Sequence, residues 1–244
     1  MSAPLFRFQR FTVCHDRSSM PVGTDGVLLG AWAPLEGAAR VLDVGCGCGL
    51  IALMAAQRAE DASIVGIDVD ASSVAQAREN VAASPFSRRI TILEQDVRQM
   101  DADDGFDHIL CNPPFHVEST LPPIASRMVA RNTTFLPFSD LVSSVVRLLA
   151  PGGCFSVVLP VSAHEGFVSL CLACGLRLSR QCLVQTVPSK PPKRVLLCFR
   201  SKSSAQDKLF DGEASCSVLV LQNPDGSRSE AYHTLTCDFY LPVS

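Results

Sequence analysis

Apolar positions recur along this chain in two alternating rhythms. Short runs rich in apolar residues read as buried strands: RVLDV (40–44), SIVGID (63–68), FDHILC (106–111) and CFSVVLP (154–160). RITILEQ (89–95) alternates and reads as a strand with one wet face. Between these runs lie segments of helical composition. LIALMAAQRA (50–59) is one, and in ASSVAQARENVAAS (71–84) Val74, Ala77, Val81 and Ala82 share a face, with Asp70 at the N-cap position. FSDLVSSVVRLLAPGG (138–153) carries a stripe of Leu141, Val145, Leu148 and Leu149, and its Pro-Gly-Gly predicts the stop. EGFVSLCLACG (165–175) predicts a helix ended by Gly175. Two β-rich runs follow, around 176–187 and 194–200. Then come a polar segment (202–216), a further strand (216–222) and a partly helical close, SEAYHTLTCDFYL. Strands alternating with helices imply an α/β fold: a parallel sheet with helices on both faces.

Composition narrows this picture slightly. With 47% apolar and 18% charged residues over 244 positions, the chain can bury one large core, and we expect a single domain. No apolar run reaches the roughly 18 residues of a membrane span. The N-terminal MSAPLFRFQRF, broken by Arg7 and Arg10, does not read as a secretory signal, so a cytoplasmic location without membrane association is expected. The net charge of −3 excludes a globally basic nucleic-acid binder but not a local basic face. Eleven cysteines, an odd number, do not form a disulfide framework and mostly fill the core; Cys171 and Cys174 have zinc-like spacing but no second ligand pair, so no metal is expected.

The candidate chemistry sits at the ends of the predicted strands. The first core strand runs into Asp43-Val-Gly45-Cys-Gly47-Cys-Gly49. Glycines at alternate positions let backbone turn sharply and approach a ligand, and the following helix offers free N–H groups. The spacing is neither a G-x-G-x-x-G dinucleotide fingerprint nor a Walker loop, which disfavours a nicotinamide oxidoreductase. With no pyrophosphate to cradle, it suits S-adenosylmethionine and resembles the first motif of class I methyltransferases. Asp68, at the end of the second strand, can accept both ribose hydroxyls. Asp96, at the end of the third, resembles the residue that receives the cofactor's adenine amino group in that family. The fourth strand stops at Asn112-Pro113-Pro114-Phe115. Prolines fix this backbone, so the Asn112 side chain and the Pro113 carbonyl can grip an amino group while Phe115 stacks on a planar target. This segment resembles the fourth motif of amino-group methyltransferases. No Pro-Cys dipeptide is present for cytosine-C5 chemistry.

The preface adds a more specific signature. Val22-Gly-Thr-Asp-Gly-Val-Leu-Leu-Gly-Ala-Trp32, preceded by His15-Asp16-Arg17, closely resembles the bacterial tRNA1(Val) adenine-37 N6-methyltransferases, and the likeness extends over nearly the whole chain. It implies a Rossmann-like class I methyltransferase fold with a mostly parallel seven-stranded sheet, a lid over 1–38, a core over 39–200 and a C-terminal extension over 201–244. It implies S-adenosylmethionine as cofactor and tRNA as substrate, with no stable protein partner. Gly23, Thr24 and Asp25 become cofactor-side residues alongside Asp43, Gly45, Gly47, Gly49, Asp68, Asp96 and Asn112. RNA contact is expected of Arg127, Arg131, Lys193 and Arg194, chosen from a wider set of basic residues that includes Arg88, Arg89, Lys190, Arg200 and Lys202. Two departures stand out: Phe115 where the family often has tyrosine, and the run Lys190-Pro-Pro-Lys193-Arg194. The competing readings are a guanine-N2 methyltransferase of rRNA, a protein glutamine-N5 methyltransferase and a non-catalytic RNA-binding module.

Overall fold

The computed structural model describes residues 5–18, 21–101, 103–114, 136–201 and 214–242. Its centre is a sheet built from β3 (Arg40–Val44), β4 (Ser63–Asp68), β5 (Ile90–Glu94), β6 (Phe106–Cys111), β7 (Leu149–Pro160), β8 (Arg177–Gln185), β9 (Arg194–Arg200) and β10 (Ser215–Val220). Their order is β10-β8-β9-β7-β6-β3-β4-β5, with β9 antiparallel to both neighbours and every other pairing parallel. Among the described residues the sheet therefore has eight strands, not the seven expected. The added one is β10, from the segment read as an extension beyond residue 200, and it pairs in register with β8 from Ser215↔Arg180 to Val220↔Gln185.

Alternation along the strands splits the core into two layers. Val41, Val158, Leu196 and Cys198 face one layer, with α1 (Thr24–Trp32), α2 (Leu50–Arg58), α3 (Ala71–Ala82) and α6 (Glu230–Thr236). Leu42, Val157, Leu197 and Phe199 face the other, covered by α4 (Phe138–Leu148) and α5 (His164–Ala173). The expected α4 stripe is buried throughout, but the helix ends at Leu148. Leu149 already pairs with Phe106, and the register jumps before His108↔Cys154, so Pro-Gly-Gly forms a bulge in β7 rather than a helix cap. Gly153 is obligatory there, since a Cβ would lie 2.9 Å from two backbone carbonyls. On α3, Ala82 is exposed and Val74, Ala77 and Val81 carry the packing.

An N-terminal hairpin meets the segment after α6. β1 (Leu5–Arg7) and β2 (Thr12–Cys14) form a small hairpin. In the turn between them, Gln9 donates its backbone N–H to Phe239 at 2.8 Å and its side-chain amide to the carbonyls of Cys237 and Tyr240. Among the described residues no helix is long and apolar enough to cross a membrane.

Cysteine burial makes a direct prediction. Cys46, Cys48, Cys111, Cys154, Cys171, Cys182 and Cys198 are buried, whereas Cys216 and Cys237 are exposed. Burial also pushes the Cys48 thiol up to about 11 and Cys171 up to about 12, which suppresses the reactive thiolate. A short iodoacetamide pulse on the native protein is expected to label Cys216 and Cys237 first. Early label at Cys46 or Cys48 in a peptide mass map would contradict this packing.

Candidate active site

The chain passes from β3 through β4 to β5 on one side, then returns to place β6 on the other side of β3. The crevice at that reversal, beyond the carboxyl ends of the strands, is where open α/β sheets bind ligands. Val44 and Cys111 are partners in register, so the glycine loop and Asn112 leave adjacent strands side by side. Two cavities open there, of about 540 Å³ and about 320 Å³, and Gly45, Gly47 and Asn112 line both.

The loop owes its shape to its glycines. Gly45, Gly47 and Gly49 have φ of +69°, +53° and +83°, in the left-handed region that costs other residues energy. Gly45 and Cys46 donate their N–H groups to the Ile67 carbonyl, and Gly47 donates to Asp68 Oδ2 at 2.9 Å. Gly49 serves packing instead: it lines neither cavity, caps α2, and a Cβ on it would lie 3.3 Å from that of Ala77. Gly49→Ala is expected to cost about 1–2 kcal/mol of stability through left-handed strain and crowding of α3. Thermal unfolding checks this, and an unchanged Tm would contradict it.

The expected acids take different roles. Asp68 lines the larger cavity; its Oδ1 accepts from Asp70 N–H at 3.0 Å, leaving acceptor capacity toward the cavity. Asp70 caps α3 by accepting from Ser73, and the Ser72 and Ser73 hydroxyls hold its carboxyl below the usual range. Asp96 also lines the larger cavity, but Arg98 grips its carboxylate through Nε and Nη2 and lowers its pKa. Its oxygens are thus partly committed before any ligand arrives. Asp43 departs furthest from expectation. It is completely buried, lines neither cavity, and accepts from Ala52 N–H at 3.0 Å. Gly49, at the N-cap of α2, has no side chain to satisfy that helix's first-turn donors, so Asp43 does so from the strand behind it.

The N-terminal residues Gly23, Thr24 and Asp25 line the smaller cavity. The glycines of α1 explain how they reach it. A Cβ on Gly26 would lie 3.1 Å from Leu50, and one on Gly30 would lie 2.8 Å from Met54. Their absence lets α1 lie close against α2.

The basic residues divide. Arg194 donates Nε–H to Asp25 Oδ2 at 2.8 Å, so it ties β9 to α1 as well as facing outward. Lys193 is exposed beside it. Arg89 donates to the carbonyls of Ala56, Ala59 and Ala62 at the end of α2, a structural role at the edge of the sheet away from the cavities. Phe115, Arg127, Arg131 and Lys202 lie outside the described residues.

Asn112 is the focal group. Its Oδ1 is buried and has no hydrogen-bond partner among the described residues. A buried acceptor left unpaired is costly, and it marks a place where a donor from a ligand can be received.

Comparisons with known proteins agree on the class. Residues 27–160 match the methyltransferase small domain family. The chain is 45% identical to the tRNA1(Val) (adenine(37)-N6)-methyltransferase of Phocaeicola vulgatus over 99% of both chains. It is 40% identical to a protein of the same name from Klebsiella pneumoniae, over 97% of this chain and 94% of the other. Among solved structures it is similar to a predicted O-methyltransferase from Agrobacterium tumefaciens (TM-score 0.64, 19% identity, 88% of this chain and 96% of the other). It also resembles a Thermus thermophilus 16S rRNA N2 G1207 methyltransferase (TM-score 0.57, 22% identity, 82% of this chain and 50% of the other). The two structural likenesses establish the fold.

Proposed function

We propose that this chain, which belongs to the tRNA1(Val) (adenine(37)-N6)-methyltransferase family, transfers a methyl group from S-adenosylmethionine to the N6 amino group of adenine 37 in tRNA1(Val). The observation that carries the mechanism is the unpaired Asn112 Oδ1 at the junction of the two cavities. The left-handed glycines and the cavity-facing Asp68 fit the cofactor. When bound, it supplies an electrophilic methyl on a sulfonium. Asp68 would take the ribose hydroxyls. Asp96, with Arg98 on its carboxylate, would border the adenine. Gly23, Thr24 and Asp25 would border the methionyl end in the smaller cavity.

The target amine is a weak nucleophile because its lone pair is delocalised into the purine. Asn112 Oδ1 accepts one of its hydrogens and the Pro113 carbonyl the other, which turns the nitrogen lone pair out of the ring plane. Pro113 and Pro114 stiffen the segment, so the acceptors are already in place when the base arrives. Phe115 is assigned to stack on the flipped base. Arg194, bonded to the cavity-lining Asp25, and the exposed Lys193 beside it are, with Arg127 and Arg131, assigned to tRNA phosphates.

Incubation with total tRNA and labelled cofactor, followed by mapping of the modified nucleoside, tests this reading. Label on adenine 37 of tRNA1(Val) is expected. Label on guanine or on protein glutamine would overturn it.

A further inference from the structure

The strongest unassigned feature is a stripe of buried amides on α3. Gln76 and Asn80 are one helical turn apart and nearly inaccessible, at 0% and 4% exposure, although amide side chains usually lie at the surface. Neither lines either of the two cavities at the site. Both are spent on the end of β2 and the residues that follow it. Asn80 Oδ1 accepts from Cys14 N–H at 2.9 Å, and its Nδ2 donates to the Cys14 carbonyl at 2.8 Å and to the Cys48 carbonyl at 2.9 Å. Gln76 Oε1 accepts from Arg17 N–H at 3.1 Å, and its Nε2 donates to Asp16 Oδ1. Ser72 Oγ donates to the Arg17 carbonyl at 3.1 Å, and Arg17 pairs with Glu79.

The clamped segment is a wall of the site. Asp16, Arg17 and Ser18 line the larger cavity, as Asp68 does. Ser18 Oγ comes so near Gly47 that a Cβ there would lie 3.2 Å from it. One amide, Asn80, thus bonds both the N-terminal strap and the glycine loop and fixes their separation. We propose that Gln76 and Asn80 are positioning residues that hold the strap 14–18 over the glycine loop and so set the affinity for S-adenosylmethionine.

The inference rests on the cofactor reading above, and its test separates the two. Cofactor affinity is measured by calorimetry on the full chain without RNA, and steady-state methylation by KM and kcat. Gln76→Met and Asn80→Leu approximate the side-chain shapes and remove the hydrogen bonds. Each is expected to weaken S-adenosylmethionine binding and raise its KM about tenfold, with kcat at saturation within about twofold of the parent. Ser84→Ala is the control. It breaks a buried hydroxyl bond beyond the end of the same helix, to Val81, so it lowers stability while leaving affinity unchanged.

Hydrogen exchange provides a readout that needs only one folded variant. In the parent, added cofactor is expected to slow exchange at the Cys14 and Arg17 amides; in Gln76→Met the Arg17 amide should exchange fast with or without it. Parent-like affinity in Gln76→Met would overturn the clamp. So would an equal loss of affinity in Ser84→Ala. If the parent itself binds no S-adenosylmethionine, the cofactor reading fails and the clamp with it.

Discussion

Asn112→Ala is expected to lower kcat for tRNA methylation by about 10²–10³-fold while cofactor affinity stays within a few-fold, a loss of roughly 3–4 kcal/mol confined to the transition state. The reason lies in the unsatisfied oxygen. In the free protein Asn112 Oδ1 is buried without a partner among the described residues, so the site is built for a donor it does not yet hold. That contact strengthens as the amine loses its planarity, so it acts on kcat more than on KM. Asn112→Asp keeps an acceptor at the same place and should retain more activity than the alanine variant. Single-turnover kinetics with saturating tRNA measure the step. A kcat for Asn112→Ala near that of the parent would sink the mechanism, whereas loss of cofactor binding would reassign Asn112 to the cofactor.

The sequence foretold the parts of this site that depend on local backbone chemistry. Glycines at 45, 47 and 49 and prolines at 113 and 114 are required where they stand, so their positions announced both loops. Strand ends followed from the apolar runs, and with them the placement of Asp68 beside the glycine loop. What escaped is set by side-chain partnerships that neither periodicity nor motif spacing marks. Asp43 reads as a ligand acid in the motif, yet its partner is Ala52 across the loop, because Gly49 left a helix donor to satisfy. Asp96 is gripped by Arg98, only two residues away, and nothing in the pattern marks that pair. Gln76 and Asn80 look like the polar side of an amphipathic helix; only the docking of Cys14–Ser18 turns that side inward. The eighth strand was visible as a strand, but its place beside β8 is a matter of register, which a single short run does not encode.

Asp43→Asn is expected to change the pH dependence of stability by removing a titrating group from the core. Burial pushes the Asp43 carboxyl up to about 7, against about 4 for an unfolded aspartate. Between those values the native state holds a proton that the unfolded chain has released. Stability therefore falls as pH rises through this window, by about 2–3 kcal/mol from pH 5 to pH 8, and is level above it. His108 acts in the opposite direction. It is buried against Ser156 and depressed to about 3, so the unfolded chain binds the extra proton below about 6.5, and stability rises with pH over the same range by about 2 kcal/mol. Between pH 5 and pH 8 these two contributions nearly cancel each other. The substitution removes one of them. The amide oxygen it introduces can still accept from Ala52, but the side chain no longer titrates, so the variant's stability should climb with pH relative to the parent's by about 2–3 kcal/mol from pH 5 to pH 8. Asp70 and Asp96 do not interfere, because their lowered pKa values place their titration below the window. Urea unfolding at several pH values reads the difference directly. Parallel profiles for parent and variant would show that Asp43 is ionised in the native core throughout, and that Ala52 alone is not what holds it there.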